Sequence, residues 1–216
     1  IISHVFKKAK EADIGEVYVA TEDREILDDV NLNGGKAILT SNKHKTGSDR
    51  IFECYEKLDL KNIDYIINLQ GDEPNIDIND LRHLNNLIEN NKTEIGTLAA
   101  EIDDQSKIKD ENIVKVITNS KITNENFTFA VDFKRKINNL NLNTYHHLGV
   151  YAYKPEVLKK LIKFKQTNNE IENRLEQLRA IENGIKINVG LAKFCPIGVD
   201  TMEDYLALKK KLEYNS

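Results

Sequence analysis

The sequence predicts an α/β fold, in which helices flank a sheet and the second half carries a β-rich insertion. Over the first 75 residues, helix-like and strand-like segments alternate, as they do when a parallel sheet is flanked by helices. DYIINLQ (64–70) is almost continuously apolar, which is typical of a strand buried on both faces. Four further strand-like runs lie between residues 95 and 154. We expect about 103–154 to form an antiparallel insertion within a single domain, 1–216.

Each element is assigned from the spacing of its apolar residues and from the signals at its ends. The predicted helices cover 1–13, 23–30, 47–58, 77–91, 156–164, 170–184 and 200–213. The predicted strands cover 16–21, 36–40, 64–70, 95–102, 114–118, 127–133, 146–154 and 186–194. Asn33, Gly34 and Gly35 tolerate left-handed backbone and would end the second helix, and Gly184 would end the sixth.

Composition excludes several classes of protein. The net charge is −4, and the 31 Lys and Arg residues interleave with 35 Asp and Glu residues, so no basic patch for nucleic acid is expected. We expect no membrane insertion, because no apolar run reaches the length of a membrane span, and we see no signal peptide. Cys54 and Cys195 are far apart, which favours two plain thiols in a cytoplasmic protein.

The segment LQGDEPNI (69–76) is the first candidate for chemistry. Gln70, Gly71, Asp72 and Glu73 follow a predicted strand, and ligands of such sheets bind beyond the carboxyl ends of strands. Asp72 is either a turn residue ahead of a proline or a ligand of a hard cation such as Mg²⁺, which prefers carboxylate and phosphate oxygens.

Asp200 could supply a second carboxylate, since it also follows a strand-like run. The alternative is a helix N-cap, because Glu203 stands three residues later in a capping-box pattern. One oxygen suffices for each role, so the two are compatible.

Three more segments allow a functional and a purely structural interpretation. His146 and His147 are neighbours on a predicted strand, so we expect one to face a pocket and the other to face solvent. RLEQLR (174–179) is, by itself, more typical of a solvated helix face with spaced salt links than of a binding segment. HKTGSDRI (44–51) could present a helix N-terminus to a nucleotide or phosphate, or be simply capped by Ser48 or Asp49.

Taken together, seven segments carry a resemblance that covers nearly the whole chain. In order they are VATED, LTSNKHKTGSDR, NLQGDEP, NIVKVI, YHHLGVYAY, LEQLRAIENG and GVDTMEDY. The chain resembles the CMP-Kdo synthetases, or 3-deoxy-manno-octulosonate cytidylyltransferases. That family couples CTP with the sugar acid Kdo to give CMP-Kdo and pyrophosphate, for lipopolysaccharide assembly in Gram-negative bacteria.

The resemblance implies a nucleotidyltransferase fold (Rossmann-like and glycosyltransferase-A-like) with a mixed sheet, a β-rich dimerisation insertion and a homodimer. It also implies roles for individual residues. Asp72 and Asp200 would bind Mg²⁺ as the catalytic carboxylates. The nucleotide would be bound by Gln70, Gly71, Thr46, Gly47 and Ser48. The sugar acid would be bound by His147, Tyr151, Glu176 and Gln177.

The chain departs from the family pattern at three places. The family begins with a strand and a loop of the type IPARYxSxRLPGKPL, which grips the triphosphate and is not found here. We therefore expect the chain to be N-terminally incomplete, and possible inactivity follows from that expectation. His146 stands where the family usually has arginine, and Arg135 corresponds only loosely to the arginine of its YFSR segment.

Two alternatives are therefore kept. One is a related cytidylyltransferase for another acidic sugar, of the CMP-sialic acid synthetase type. The other is a non-catalytic fragment that dimerises or binds nucleotide.

Overall fold

The computed structural model describes residues 1–104, 106–137 and 143–193, and beyond these only Met202, Leu206 and Lys210. Cys195, Asp200 and most of the helix predicted over 200–213 therefore lie outside the described residues. None of the described helices is long and apolar enough to cross a membrane.

The described residues form eight helices and eight strands. The helices are α1 (Ile2–Ala12), α2 (Arg24–Leu32), α3 (Gly47–Leu58), α4 (Ile78–Asn91), α5 (Ser106–Lys109), α6 (Pro155–Leu161), α7 (Asn168–Asn173) and α8 (Gln177–Glu182). The strands are β1 (Val19–Thr21), β2 (Ala37–Leu39), β3 (Ile66–Asn68), β4 (Ile95–Ala100), β5 (Lys115–Thr118), β6 (Thr128–Lys134), β7 (Thr144–Tyr153) and β8 (Ile187–Leu191).

The strands form two sheets. β1 and β2 pair in parallel, as the alternating first half predicts. The other six form a mixed sheet in the order β3-β7-β4-β8-β6-β5, in which β5 also pairs with β7. Only β4 and β8 are parallel in this sheet, and the remaining described pairs are antiparallel. The predicted mixed sheet flanked by helices is confirmed.

The strand predicted over 64–70 is shorter and less buried than expected. β3 has three residues, and it pairs antiparallel with β7 at the end of the six-stranded order. Because it has one described neighbouring strand, Ile66 and Ile67 are only half-buried, and Asn68 alone is buried. β4 is the strand buried along its whole length.

The core lies on both faces of the six-stranded sheet. Leu98 packs with Leu148 and helix α4 on one face, whereas its neighbour Ala99 packs with Phe133 on the other. This division follows from the alternation of side chains along a strand. The sheet thereby fixes the end of β3 and the middle of β7, where the candidate site lies.

The single helix predicted over 170–184 is also wrong. Arg174 adopts a left-handed conformation with φ 53°, which ends α7, and a new helix begins at Gln177. The break exposes backbone carbonyls that the side chain of Arg135 captures: its Nε donates to Asn173 O at 3.1 Å and its Nη2 to Arg174 O at 3.3 Å. Gly184, with φ 74°, follows the end of α8 as expected.

Candidate active site

A tight turn follows β3 and carries the first group of candidate residues. The Glu73 N–H donates to Gln70 O at 3.3 Å, and this turn leaves Asp72 exposed to solvent. The carboxylate of Glu73 lies on the inner side of the turn, where its Oε1 accepts the backbone N–H of Gly149 at 3.0 Å. The turn is thus attached to the middle of β7.

Gly149 permits this approach because it has no side chain. A Cβ at this position would lie 2.7 Å from Glu73 Oε1 and 3.2 Å from Gln70 Cγ. In the sequence, Glu73 was a candidate only through its position after a predicted strand, and Gly149 had no predicted role. The glycine in HHLGVYAY was the available signal, since a glycine inside a strand often marks a close approach.

The N-terminus of α3 carries the second group. Its N-cap is Thr46, whose Oγ1 accepts the Asp49 N–H at 3.4 Å, and not Ser48 or Asp49 as the structural alternative proposed. Ser48 is fully buried, and its hydroxyl hydrogen-bonds Glu176 Oε1, while its N–H lies 3.5 Å from Glu176 Oε2.

Gly47 brings these groups together. A Cβ on Gly47 would lie 3.7 Å from Asn68 Nδ2, 3.8 Å from Gln70 Nε2 and 4.0 Å from Glu176 Oε2. The predicted nucleotide residues Thr46–Ser48 and Gln70 are therefore neighbours, and Glu176 of the predicted sugar-acid group adjoins them.

Glu176 is held by a buried ionic network, so its segment is not a solvated helix face. Arg179 is 2% exposed and donates to both Glu170 oxygens, at 2.8 Å from Nε and 2.5 Å from Nη2. The same Nη2 lies 4.0 Å from Glu176 Oε1. Burial raises the pKa of the Glu176 carboxyl, although hydrogen bonds and Arg179 oppose the shift. Gln177, the first residue of α8, is half-buried.

The aromatic residues of β7 form the wall next to Glu176. The rings of His147 and Tyr151 are 5.2 Å apart, and those of Tyr151 and Tyr153 are stacked at 5.8 Å. Burial first, then the Tyr153 and Glu176 charges, raises the pKa of Tyr151 well above its usual value. Its hydroxyl is buried and has no hydrogen-bond partner among the described residues.

The two histidines do not divide between pocket and solvent as expected. His147 is buried, and His146 is half-buried. Burial lowers the pKa of His147 to about 3 and that of His146 to about 4, where Lys107 and Lys115 contribute. Both rings are therefore neutral near pH 7. The solvent-facing role predicted for one of them is wrong.

Arg135 is occupied elsewhere. Besides Asn173 and Arg174, it donates from Nη1 to Glu111 O at 3.1 Å. All three guanidinium nitrogens therefore make backbone contacts.

The metal pair is described only in part. Asp72 lies exposed in the turn after β3, and Asp200 lies outside the described residues. Within the described ranges, no group of three or more His, Cys, Asp or Glu residues is placed to hold a metal ion. An exposed carboxylate at a strand end still suits Mg²⁺, which takes one or two protein carboxylates and completes its shell with phosphate oxygens and water.

Comparison with known proteins places this chain in a family. A sequence model of the cytidylyltransferases matches residues 1–187. The 3-deoxy-manno-octulosonate cytidylyltransferase of Thermodesulfovibrio yellowstonii is 40% identical over 98% of this chain and 88% of its own length. This chain belongs to the 3-deoxy-manno-octulosonate cytidylyltransferase family. The protein of that name from Bartonella tribocorum is 38% identical over 98% of this chain and 87% of its own length.

Solved structures extend the comparison to this family's fold. A CMP:2-keto-3-deoxy-manno-octonic acid synthetase complexed with CTP superimposes with a TM-score of 0.88 at 31% identity, covering 100% of this chain and 88% of the other. An apo UDP-glucose pyrophosphorylase, at 13% identity, has a TM-score of 0.70 and covers 99% of this chain and 86% of its own; it shows the fold alone. The predicted family and the predicted nucleotidyltransferase fold are confirmed.

Proposed function

We propose that this protein transfers a cytidylyl group from CTP to Kdo, releasing pyrophosphate and forming CMP-Kdo for lipopolysaccharide synthesis. The observation that carries the proposal is the contact between Ser48 and Glu176. It joins the helix N-terminus assigned to the nucleotide with the carboxylate assigned to the sugar acid, as a two-substrate reaction requires. The family membership and the CTP complex of a relative at 31% identity support the choice of nucleotide.

The reaction follows from the arrangement of the two groups. The anomeric hydroxyl of the sugar acid attacks the α-phosphorus of CTP, its proton leaves to solvent, and the bond to the bridging oxygen of pyrophosphate breaks. Gln70 and the Thr46–Ser48 segment would hold the nucleotide, while His147, Tyr151, Glu176 and Gln177 would orient the sugar acid. Holding both reactants in line lowers the entropic part of the barrier.

Mg²⁺ is the cofactor that fits the carboxylates, and Asp72 with Asp200 would hold it. When bound, Mg²⁺ supplies positive charge that neutralises phosphate oxygens in an in-line displacement. Gln70 and Glu73 would set the position of the Asp72 turn.

We further propose that the protein is a cytoplasmic homodimer. Val131 and Phe129 of β6 are 54% and 40% exposed, and Val131 lies at a bulge in the pairing of β6 with β5. Apolar side chains exposed on a strand in the region predicted for dimerisation support contact with a second copy. The buried thiol of Cys54 is consistent with a reducing compartment.

The proposal is tested by pyrophosphate release with CTP, Mg²⁺ and Kdo. The product of the whole reading frame and the 216-residue chain are assayed in parallel, with N-acetylneuraminate as the competing sugar. Turnover of Kdo by the protein encoded by the whole reading frame supports the proposal. Turnover only with the competing sugar makes the protein a CMP-sialic acid synthetase. Nucleotide binding without turnover of either sugar overturns an enzymatic role.

A further inference from the structure

Thr97 of β4 and His147 of β7 are joined by a buried hydrogen bond. The distance between Thr97 Oγ1 and His147 Nε2 is 3.0 Å, and the residues are 0% and 8% exposed. The contact lies where the register of β4 against β7 shifts, between Thr97 and Leu98. The shift brings a threonine hydroxyl of one strand under an imidazole of the other.

The surroundings of the Thr97 hydroxyl decide which atom donates. Its oxygen lies 2.7 Å from Val150 O and 3.3 Å from Leu148 O, and carbonyl oxygens can only accept. The one hydroxyl hydrogen therefore goes to Val150 O, the nearer carbonyl. The oxygen keeps lone pairs toward His147, so Nε2 must carry the hydrogen.

The other nitrogen of His147 is then an acceptor. Burial, followed by the neighbouring charge of His146, lowers the pKa of His147 to about 3, so the ring is neutral and carries a single proton. Phe133 packs edge-on against the ring at 5.1 Å, and Tyr151 packs on it at 5.2 Å. The ring is therefore held in one orientation, and Nε2 is its one atom that hydrogen-bonds another of the described residues.

We propose that Thr97 is a positioning residue that fixes the Nε2–H tautomer of His147, so that Nδ1 accepts a hydrogen bond from a hydroxyl group of the sugar acid. This inference rests on the proposed function for the identity of the substrate. Nδ1 presents a lone pair, and a carboxylate presents only lone pairs, so His147 does not bind the substrate carboxylate. The nearby Tyr151 hydroxyl, buried without a partner among the described residues, is a donor for that side of the pocket.

The tautomer is tested first without substrate, by ¹⁵N NMR of the histidine side chains in the protein encoded by the whole reading frame. We expect the Nε2 signal of His147 to be of the protonated, pyrrole type and the Nδ1 signal to be of the pyridine type. In Thr97→Val the two signals should move toward each other as the tautomers mix, and in Thr97→Ser they should stay in place. Thr93→Val, at another buried threonine hydroxyl, is the control and should leave them unchanged. A pyridine-type Nε2 in the unmodified protein overturns the proposal, whether or not the protein turns over Kdo.

The substrate contact is tested by kinetics with deoxy analogues of Kdo and with its carboxamide. Thr97→Val should raise KM for Kdo about tenfold, equivalent to about 1.4 kcal/mol, with KM for CTP unchanged and Thr97→Ser close to the unmodified protein. In the unmodified protein, one deoxy analogue should have a higher KM than Kdo, whereas in His147→Phe its KM should be no higher than that of Kdo. The carboxamide of Kdo should raise KM by the same factor in both proteins. A carboxamide penalty that disappears in His147→Phe would mean that His147 binds the carboxylate and the proposal is wrong. If the unmodified protein turns over no sugar, the proposed function fails, and the NMR result still decides the role of Thr97.

Discussion

The carboxylate of Glu73 accepts the backbone N–H of Gly149 at 3.0 Å, which ties the turn after β3 to the middle of β7. The residues are 76 positions apart in the sequence. This contact holds the turn that carries Gln70 and Asp72 against the strand that carries His147 and Tyr151. It therefore links the predicted metal and nucleotide residues to the predicted sugar-acid residues.

Gly149→Ala should disrupt that link. Its Cβ would lie 2.7 Å from Glu73 Oε1, so the Glu73 side chain must move away and the N–H of residue 149 loses its acceptor. We expect kcat/KM to fall on the order of 10²-fold, because small displacements of positioning residues cost that much. Steady-state pyrophosphate release measures the effect. Gly15→Ala is the matched control, since nothing lies within 4 Å of a Cβ there. Equal activity of the two variants would show that the Glu73 contact does not position the turn.

Asp72→Asn tests the proposed metal ligand. Asp72 is exposed, so the substitution should leave Tm unchanged. Turnover should fall about 10²-fold or more, because stabilisation of the transferring phosphate is lost, and the Mg²⁺ concentration needed for half-maximal rate should rise. Asp28→Asn, an exposed aspartate on α2, controls for the loss of one negative charge. Near-normal turnover of Asp72→Asn at limiting Mg²⁺ would exclude Asp72 as the ligand.

Local patterns predicted the elements well where the local sequence decides the structure. α3 covers Gly47–Leu58, as its apolar spacing predicts, because a periodic face and an N-cap suffice to define a helix. The break at Arg174 was not predictable, since it depends on Arg135, 39 residues earlier, capturing the Arg174 carbonyl. The helical pattern continues through the break, where the contact with Arg135 adds to the local hydrogen bonds that the N–H groups of Arg174 and Leu175 donate to Glu170 O.

The candidate site shows the same division. The motifs around Gln70, Ser48 and Glu176 were visible in the sequence, and the structure brings these three residues together around Gly47. Gly149 left a signal, a glycine inside a strand, but its partner Glu73 lies 76 positions away in the sequence. The contact between Thr97 and His147 was not visible, because it crosses a strand pairing whose register the sequence does not state. Half-burial of His146 was missed for the same reason: alternation along a strand does not reveal what covers its outer face.

Arg179→Met should destabilise the protein strongly. Arg179 and Glu170 are 2% and 3% exposed at their side chains, and removing one partner leaves a buried charge, which costs about 3–5 kcal/mol. Urea unfolding measures the loss. Lys36→Met, which breaks the exposed pair with Glu16, should change stability little. Glu170→Leu combined with Arg179→Met should recover much of the loss, because neither charge of this pair remains buried.

The pair formed by Glu170 and Arg179 also predicts that the stability of the protein depends on pH in the acid range. Burial alone would raise the pKa of Glu170, yet hydrogen bonds from Arg179 and Gln166, the charge of Arg179 and the Thr167 N–H together lower it below 4.5. A lowered pKa in the folded state contributes stability above the unfolded value, and this contribution is lost as pH falls through the folded pKa. In Glu170→Gln this part of the acid dependence should be absent. An unchanged acid profile would mean that the pair is not ionised in the folded protein.

Val131→Glu should dissociate the proposed homodimer. The side chain is 54% exposed on β6, and a buried glutamate without a partner would oppose contact between two copies. Light scattering after size-exclusion chromatography should give the monomer mass for this variant. Leu32→Glu places the same charge at an 88% exposed leucine of α2 and should remain dimeric. A monomer in the unmodified protein, or a dimer that tolerates Val131→Glu, would rule out this face as the interface.

Glu176→Gln should alter the pH dependence of stability in the opposite sense to Glu170→Gln. Burial raises the pKa of Glu176 above 4.5, so the folded state holds its proton more tightly than the unfolded chain does. The resulting stabilisation is complete below 4.5 and is lost as pH rises through the folded pKa. The neutral amide has no such loss, so the stability of Glu176→Gln relative to the unmodified protein should increase with pH across this window and then level off. Urea unfolding at a series of pH values measures the difference, with the exposed Glu125→Gln as control. A difference that does not change with pH would show that the Ser48 hydrogen bonds stabilise the Glu176 carboxylate enough to cancel the effect of burial.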